Sequence, residues 1–295
     1  MMVAGFRSMK RNITVLPSTL QQTWGWPVVA NFVLGGAGAG IYLVSFVKEV
    51  MQGEYFALSK HFSTNLLGPV LAVLGFIALA IEAGHPLKGI HLFRGVQCSW
   101  LSRETTFWII FVFFAVLDWF APGPFFRIVS VLAALALMVS QGFILYQLRA
   151  IPAWNVPVIL LFFISSGFVS GCGLLLLTGG LIRPLFSINF MLLVAIPLIA
   201  NLVVWSVYLH RCRITAIEKD DKEPYRRFVF STISLLGHII PLVLLFVLAI
   251  WGHKGSDWLF YAESLTGLLI LLGVIYQKKA IVLDAPRLKK VTTAL

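Results

Sequence analysis

Eight long apolar segments run through this 295-residue chain and constrain its fold more than any other feature. A helix needs about 20 mostly apolar residues to cross a bilayer. Charged residues make up only 12% of the chain, whereas a soluble domain carries about 25%. The sequence therefore predicts an all-α integral membrane protein. The eight predicted spans are about 26–47, 64–84, 105–121, 125–148, 156–178, 186–209, 228–251 and 257–277.

Lysine and arginine are distributed unevenly between the two sides of these spans. With eight spans, the two termini and every second loop share one side, and that side holds 18 of the 23 basic residues. Because basic loops stay in the cytoplasm, we expect both termini there. A segment 1–25 and a basic tail 278–295 would then flank a membrane domain 26–277. This count places Arg127 at the outer side, near the start of the fourth span, and Lys278 in the tail.

Two glycine-rich helices indicate an internal relationship. The first span carries a Gly/Ala run over 35–40, and the fifth carries Gly167, Gly171 and Gly173. An offset of 133 residues places Gly38 on Gly171. Small residues at such spacings let helix backbones approach closely. The overlay favours two four-helix bundles; the alternative is that any tightly packed membrane helix carries such glycines.

A first set of polar residues lies at the cytoplasmic ends of the first four helices. It comprises Asn31, Glu82, His85 and Tyr146, and Arg94 follows in the next loop. Hydrogen-bonding groups at one depth in an apolar surrounding suit a quinone, whose carbonyls need donors and, on reduction, protons. The alternative for each residue alone is a polar group that faces the lipid headgroups.

A second set consists of Asp118, His238 and Glu263, in the middle and outer parts of the spans. Ionisable residues inside a membrane are costly and indicate function by default. They predict a proton path, as in an ion-translocating subunit or a transporter. The alternative is one polar network that holds the third, seventh and eighth helices together.

Other chemistries find little support in the sequence. The three cysteines are far apart and form no CxxC pair, so no metal site is predicted. A haem b cytochrome would need paired histidines at matching depth, and the loose pairs available lie at or beyond helix ends. The net charge of +11 is explained by loops facing anionic lipid, and nucleic-acid binding is not supported.

The segment between the second and third predicted spans carries the most distinctive motifs. It reads Glu82-Ala-Gly-His-Pro-Leu and, before the third span, Ser99-Trp-Leu-Ser-Arg-Glu104. Together with Trp26-Pro27 before the glycine run, these motifs resemble the NrfD-like family, which includes polysulfide reductase membrane subunits and, more distantly, DMSO reductase anchors. Here Ala-Gly-His-Pro replaces the family's Leu-Gly-Arg-Pro, and Glu82 stands where those anchors have a histidine.

The resemblance implies a quinol-interacting anchor of a respiratory oxidoreductase complex in the cytoplasmic membrane of a prokaryote, as in anaerobic respiration. Electrons would pass between menaquinone or ubiquinone and a docked iron–sulfur subunit, with a molybdopterin-type catalytic subunit beyond. The family implies no haem in this chain, and the terminal substrate would react on a partner. By this resemblance the first polar set lines the quinone pocket, and the residues of its rim and docking face are Arg94, Trp100, Arg103 and Glu104.

Overall fold

The computed structural model describes residues 13–15, 21, 24–53, 62–82, 99–182, 188–215, 231–251, 257–284 and 292–294. Its helices are α1 Trp26–Gln52, α2 Phe62–Glu82, α3 Trp100–Phe120, α4 Pro124–Tyr146, α5 Val158–Ile182, α6 Ile188–Thr215, α7 over 231–251 and α8 Asp257–Lys279. Helix α7 contains a π-helical turn, Leu235–Ile239, and α8 continues as a second one, Ala280–Asp284. Strands β1 Ile13–Val15 and β2 Thr292–Ala294 pair antiparallel.

The helices have the length and composition of membrane spans. Within the described ranges, seven are long and apolar enough to cross a bilayer, and the apolar stretch of α2, Leu66–Ile81, is shorter. Large apolar side chains point outward at helical spacing, as Leu265, Leu268 and Leu272 do on α8, which is how lipid-facing helices differ from soluble ones. The predicted all-α membrane protein of about eight helices is confirmed.

Prolines and glycines determine several helix ends. Helix α1 has Pro27 in its first turn and ends at Gly53, whose φ of 71° is the left-handed conformation that closes a helix. Helix α4 begins at Pro124. Helix α3 begins at Trp100, earlier than the predicted position 105. The reason is that Ser102 and Glu104 are buried in the bundle, so the polar start of this helix is not a loop.

Each half of the chain forms a ring of four helices. Helices α1 to α4 contact one another in chain order and α4 returns to α1; α5 to α8 repeat this arrangement. The halves meet mainly along α1 and α5, where Gly40 of α1 lies against Gly167 and Gly171 of α5. A methyl group added at Gly40 or Gly171 would overlap the backbone of the other helix. The two four-helix bundles expected from the glycine overlay are therefore present.

Successive helices cross in alternating directions, so α1 begins and α8 ends at the same side, which we call the first face. The second face lies at the other end, where α3 ends and α4 begins. Two basic residues that the charge count assigned to the outer side and to the tail lie inside the bundle instead. Arg127 of α4 is 4% exposed, and Lys278 is 0% exposed because α8 continues past the predicted limit at 277. Both side chains thus became candidates for function.

Candidate functional site

One acidic and two neutral polar side chains meet inside the first half, about one turn from the first face. Glu104 of α3 accepts two hydrogen bonds on one oxygen, Oε1, from Asn31 Nδ2 of α1 at 3.0 Å and from Gln141 Nε2 of α4 at 3.2 Å. All three residues are buried. We call this group, Asn31, Glu104 and Gln141, the Glu104 cluster.

The second carboxyl oxygen of Glu104 is the unusual feature of this cluster. Oε2 is buried and has no hydrogen-bond partner among the described residues. A buried polar atom without a partner costs about 1–3 kcal/mol, so such atoms in a native structure call for an explanation. An acceptor that faces no protein donor is suited to the hydroxyl group of a ligand.

Aromatic side chains lie between this cluster and the first face. Trp100 at the start of α3 stacks on Phe143 of α4, with ring centroids 4.0 Å apart and planes 7° apart. The Arg103 guanidinium lies 4.3 Å from the centre of the Trp100 ring. Tyr146 is half-buried, with its ring 6.3 Å from that of Phe143. These residues form an apolar and cationic rim, which we call the Trp100 rim.

The residues predicted for the quinone pocket are only partly described. The structure brings Asn31 into the Glu104 cluster and places Tyr146 near the rim. Glu82 ends α2, and its side chain lies outside the described part of the structure, as do His85 and Arg94 entirely. As an uncharged polar residue inside a span, Gln141 was a possible hydrogen-bonding partner from the sequence alone, but its contact with Glu104 of α3 exists only in the folded bundle.

The prediction that Glu104 belongs to a docking face is wrong. Its residue is 4% exposed, and its carboxyl points toward α1 and α4. The error follows from the predicted start of the third span at 105, which left Glu104 in a loop. Had the helix been extended back to Trp100, the helical repeat would have placed Glu104 on the same side as Asp118, about four turns later. Trp100 and Arg103, by contrast, are both partly exposed.

A second cluster joins the same three helices near the second face. Arg127 of α4 forms ion pairs with Glu49 of α1 at 3.0 Å and with Asp118 of α3 at 3.2 Å. Tyr42 of α1 donates its hydroxyl hydrogen to Asp118 Oδ2 at 3.0 Å, and its ring lies 5.3 Å from the guanidinium. All four residues are buried. We call this group, Tyr42, Glu49, Asp118 and Arg127, the Arg127 cluster.

A third cluster lies in the second half. His238 Nε2 is 2.8 Å from Asn201 Oδ1 of α6 and 3.4 Å from Gln277 Nε2 of α8. Asn201 Nδ2 in turn donates to Ser165 Oγ of α5 at 2.9 Å. His238 lies in the π-helical turn that precedes Pro241. Because proline removes one backbone donor and its ring crowds the preceding turn, it disrupts regular helix here. We call this the His238 cluster.

The expectation that Asp118, His238 and Glu263 form one set is wrong for Asp118. Asp118 pairs with Arg127 in the first half, whereas His238 bonds to Asn201 in the second. Glu263 is fully buried in α8. Asp118 lies on α3 of the first ring, whereas His238 and Glu263 lie on α7 and α8 of the second. Depth along a span says nothing about the direction in which a side chain points around the helix.

Neither a metal site among the described residues nor a match to a known protein indicates the chemistry of this site. In the part of the chain that the structure describes, no group of three or more histidine, cysteine, aspartate or glutamate side chains is placed to hold a metal ion. A comparison with protein-family models and with curated proteins finds no match to this sequence. The function must therefore be argued from the chemistry of the Glu104 cluster and of the residues around it.

Proposed function

We propose that this chain is the quinol-interacting membrane subunit of a multi-subunit oxidoreductase, with the quinone headgroup bound at the Glu104 cluster. The observation that carries the proposal is the buried carboxyl oxygen Oε2 of Glu104, which has no partner among the described residues. A quinol hydroxyl is a donor on an apolar ring, and it would supply the missing hydrogen bond. A carboxylate at that position also accepts a proton when the quinol is oxidised.

The other groups of the cluster fit the same ligand. Asn31 and Gln141 occupy Oε1, so they hold the carboxyl in one orientation and leave Oε2 available. The stacked Trp100 and Phe143 rings offer an aromatic surface to a quinone ring that enters from the first face. Tyr146, Glu82, His85 and Arg94 remain proposed as further residues of this pocket.

The partner and the location follow from the same proposal. An iron–sulfur subunit would dock at the first face, where Trp100 and Arg103 are partly exposed, and would exchange electrons with menaquinone or ubiquinone. A molybdopterin-type or other catalytic subunit would act on the terminal substrate. The excess of basic residues at this face favours a cytoplasmic orientation of both termini in a prokaryotic cytoplasmic membrane.

Ligand binding to the purified chain, with any protein that copurifies, tests the proposal. The probe is an alkyl hydroxyquinoline N-oxide, a quinol analogue whose fluorescence is quenched on binding. We expect Glu104→Gln to weaken binding at least tenfold, about 1.4 kcal/mol, because the amide cannot accept the proton of the ligand. Asp284→Asn makes the same chemical change at the partly exposed end of α8 and should bind as the parent does.

The outcomes separate the site from the function. Equal binding by the parent and Glu104→Gln would show that the quinone pocket lies elsewhere. The variants Glu82→Gln and His85→Ala would then test the remaining residues of the first polar set. If the intact chain binds no quinol analogue at all, the proposed function fails. A copurified iron–sulfur protein, seen by electron paramagnetic resonance, would identify the partner.

A second candidate function, proton translocation, rests on the His238 cluster. A buried histidine bonded to Asn201 in a π-helical turn is a frequent arrangement at functional sites. If it carries protons, His238→Ala should abolish proton uptake by vesicles containing the whole complex while quinol oxidation stays measurable. Unchanged uptake in that variant would remove this candidate.

A further inference from the structure

Lys278 is the most deeply buried cation in the described part of the chain. Its side chain is 0% exposed near the end of α8. Nζ donates a hydrogen bond to the Phe32 backbone carbonyl of α1 at 2.6 Å and lies 5.6 Å from the centre of the Phe163 ring of α5. Lys278 therefore reaches from the second half into the first, beside the helix that carries Asn31.

The amine and the Glu104 carboxyl lie near opposite ends of one amide group. A Cβ atom at Gly36 would lie 2.5 Å from Lys278 Nζ and 3.5 Å from Gln141 Oε1. The other end of that amide, Gln141 Nε2, donates to Glu104. Glycine at position 36 leaves room for the amine, which a side chain there would displace. The amide of Gln141 thus lies between the Glu104 carboxyl and the Lys278 amine in the interior of the bundle.

The partners of Lys278 do not balance a full positive charge. Among the described residues, no carboxylate lies within ion-pair distance of its amine; the ion pairs found there involve Arg127 and Lys279. A carbonyl dipole and an aromatic face compensate an ammonium only in part. Inside a membrane an uncompensated charge is costly and is retained where function needs it. A negative charge on a ligand oxygen beside the amine would compensate the ammonium more fully.

We propose that Lys278 stabilises the anionic form of the ligand bound at the Glu104 cluster. This inference rests on the proposed function. The O–H bond of a quinol hydroxyl breaks, its proton goes to Glu104 Oε2, and the oxygen keeps the electron pair. The negative charge then lies on the ligand and no longer on Glu104, and the ammonium compensates it. The summed charge of Glu104, Lys278 and the ligand does not change. The quinolate gives up electrons to the iron–sulfur partner more readily than the quinol does.

Two matched ligands and two matched variants test this role. One ligand is the acidic alkyl hydroxyquinoline N-oxide, and the other is its O-methylated derivative, which cannot ionise. The variants are Lys278→Met and Lys279→Met. Lys279 is the next residue on the same helix, but its side chain is 30% exposed and pairs with Asp284. The quantity compared is the ratio of the two dissociation constants in each protein.

We expect Lys278→Met to prefer the acidic ligand at least about tenfold less than the parent and Lys279→Met do; the preference that remains reflects the hydrogen bond of the ligand hydroxyl to Glu104, which O-methylation also removes. Binding of the O-methylated ligand should persist in Lys278→Met, which shows that the pocket is folded. If that variant does not fold, Lys278→Gln keeps a donor for the Phe32 carbonyl without the charge and is expected to show the same reduced preference.

The results that would overturn the role of Lys278 differ from those that would overturn the function. A parent protein that binds both ligands equally well rules out anion stabilisation, whether or not any variant folds. An unchanged preference in Lys278→Met or Lys278→Gln does the same. If neither ligand binds the parent protein, the proposed function fails first and the role of Lys278 fails with it.

Discussion

Helices α1, α3 and α4 hold two buried polar clusters, one near each face, and the two differ in how their charges are balanced. In the Arg127 cluster, the guanidinium pairs with two carboxylates and Tyr42 adds a hydrogen bond. In the Glu104 cluster, the carboxyl has two neutral donors on one oxygen and none on the other within the described residues. The same helices thus carry one cluster whose carboxylates are paired with a cation and one whose carboxyl is held by neutral donors alone.

This difference separates a structural role from a functional one. A buried ion pair is costly to desolvate, but removing one partner costs still more because the other charge remains. The Arg127 cluster therefore fixes how α1, α3 and α4 pack near the second face. The Glu104 cluster lacks such a cation on its carboxyl, so a ligand or a proton changes its energy easily. Unfolding and binding measurements on each cluster test this distinction.

The largest effect should come from breaking the ion pairs. We expect Arg127→Met to lower the free energy of unfolding by about 3–5 kcal/mol, because the buried carboxylates of Glu49 and Asp118 would both lose the guanidinium that pairs with them. Unfolding by SDS in mixed micelles measures the change. Arg149→Met removes an exposed arginine and serves as the control. A variant at position 127 as stable as the control would show that the ion pairs do not hold the helices.

A smaller loss should follow from removing one hydrogen bond of the same cluster. Tyr42→Phe keeps the aromatic ring but removes the hydrogen bond to Asp118 and leaves its ion pair with Arg127, so we expect a loss of about 1.5–3 kcal/mol, the range for bonds to charged groups. The matched change Tyr276→Phe affects an exposed tyrosine and should be neutral. Equal stability of the two variants would mean that the Tyr42 hydroxyl contributes nothing to the cluster.

The smallest effect on stability should come from the Glu104 cluster. In Glu104→Gln the amide oxygen still accepts from Asn31 and Gln141, and no charge has to be buried. We therefore expect the free energy of unfolding to stay within about 1 kcal/mol of the parent or to rise. The same unfolding measurement decides this. A loss as large as that of Arg127→Met would make Glu104 a structural residue and would contradict its assignment as a ligand-binding one.

The spans were predictable because lipid demands long apolar helices wherever the chain crosses it. Segments such as 125–148 and 257–277 differ by few residues from α4 and α8. The main error, the start of α3, arose where polar residues such as Ser102 and Glu104 lie inside a helix. A hydropathy scale assigns such residues to a loop, because it takes no account of the other helices that shield them from lipid.

The candidate site was only partly predictable. Asn31 was found because a polar residue stands out in an apolar span, and the same rule pointed to Asp118 and His238. Gln141 and Asn201 stood out in the same way as possible hydrogen-bonding partners, but their pairing with Glu104 and His238, and that of Arg127 with Asp118, was not predicted because it forms across helix interfaces. A residue's depth follows from its position in the span, but its neighbours depend on how each helix is rotated in the bundle.

By itself the sequence determined the membrane class, the approximate spans and the glycine-rich contact between the halves. These features follow from composition and short-range spacing, which need no knowledge of neighbouring helices. Only the tertiary structure decided which buried charges are balanced. It placed Lys278 inside the bundle instead of in the tail, and it left one oxygen of Glu104 facing no protein donor that the structure describes. Charge balance is a property of groups within a few ångströms, and folding alone brings those groups together.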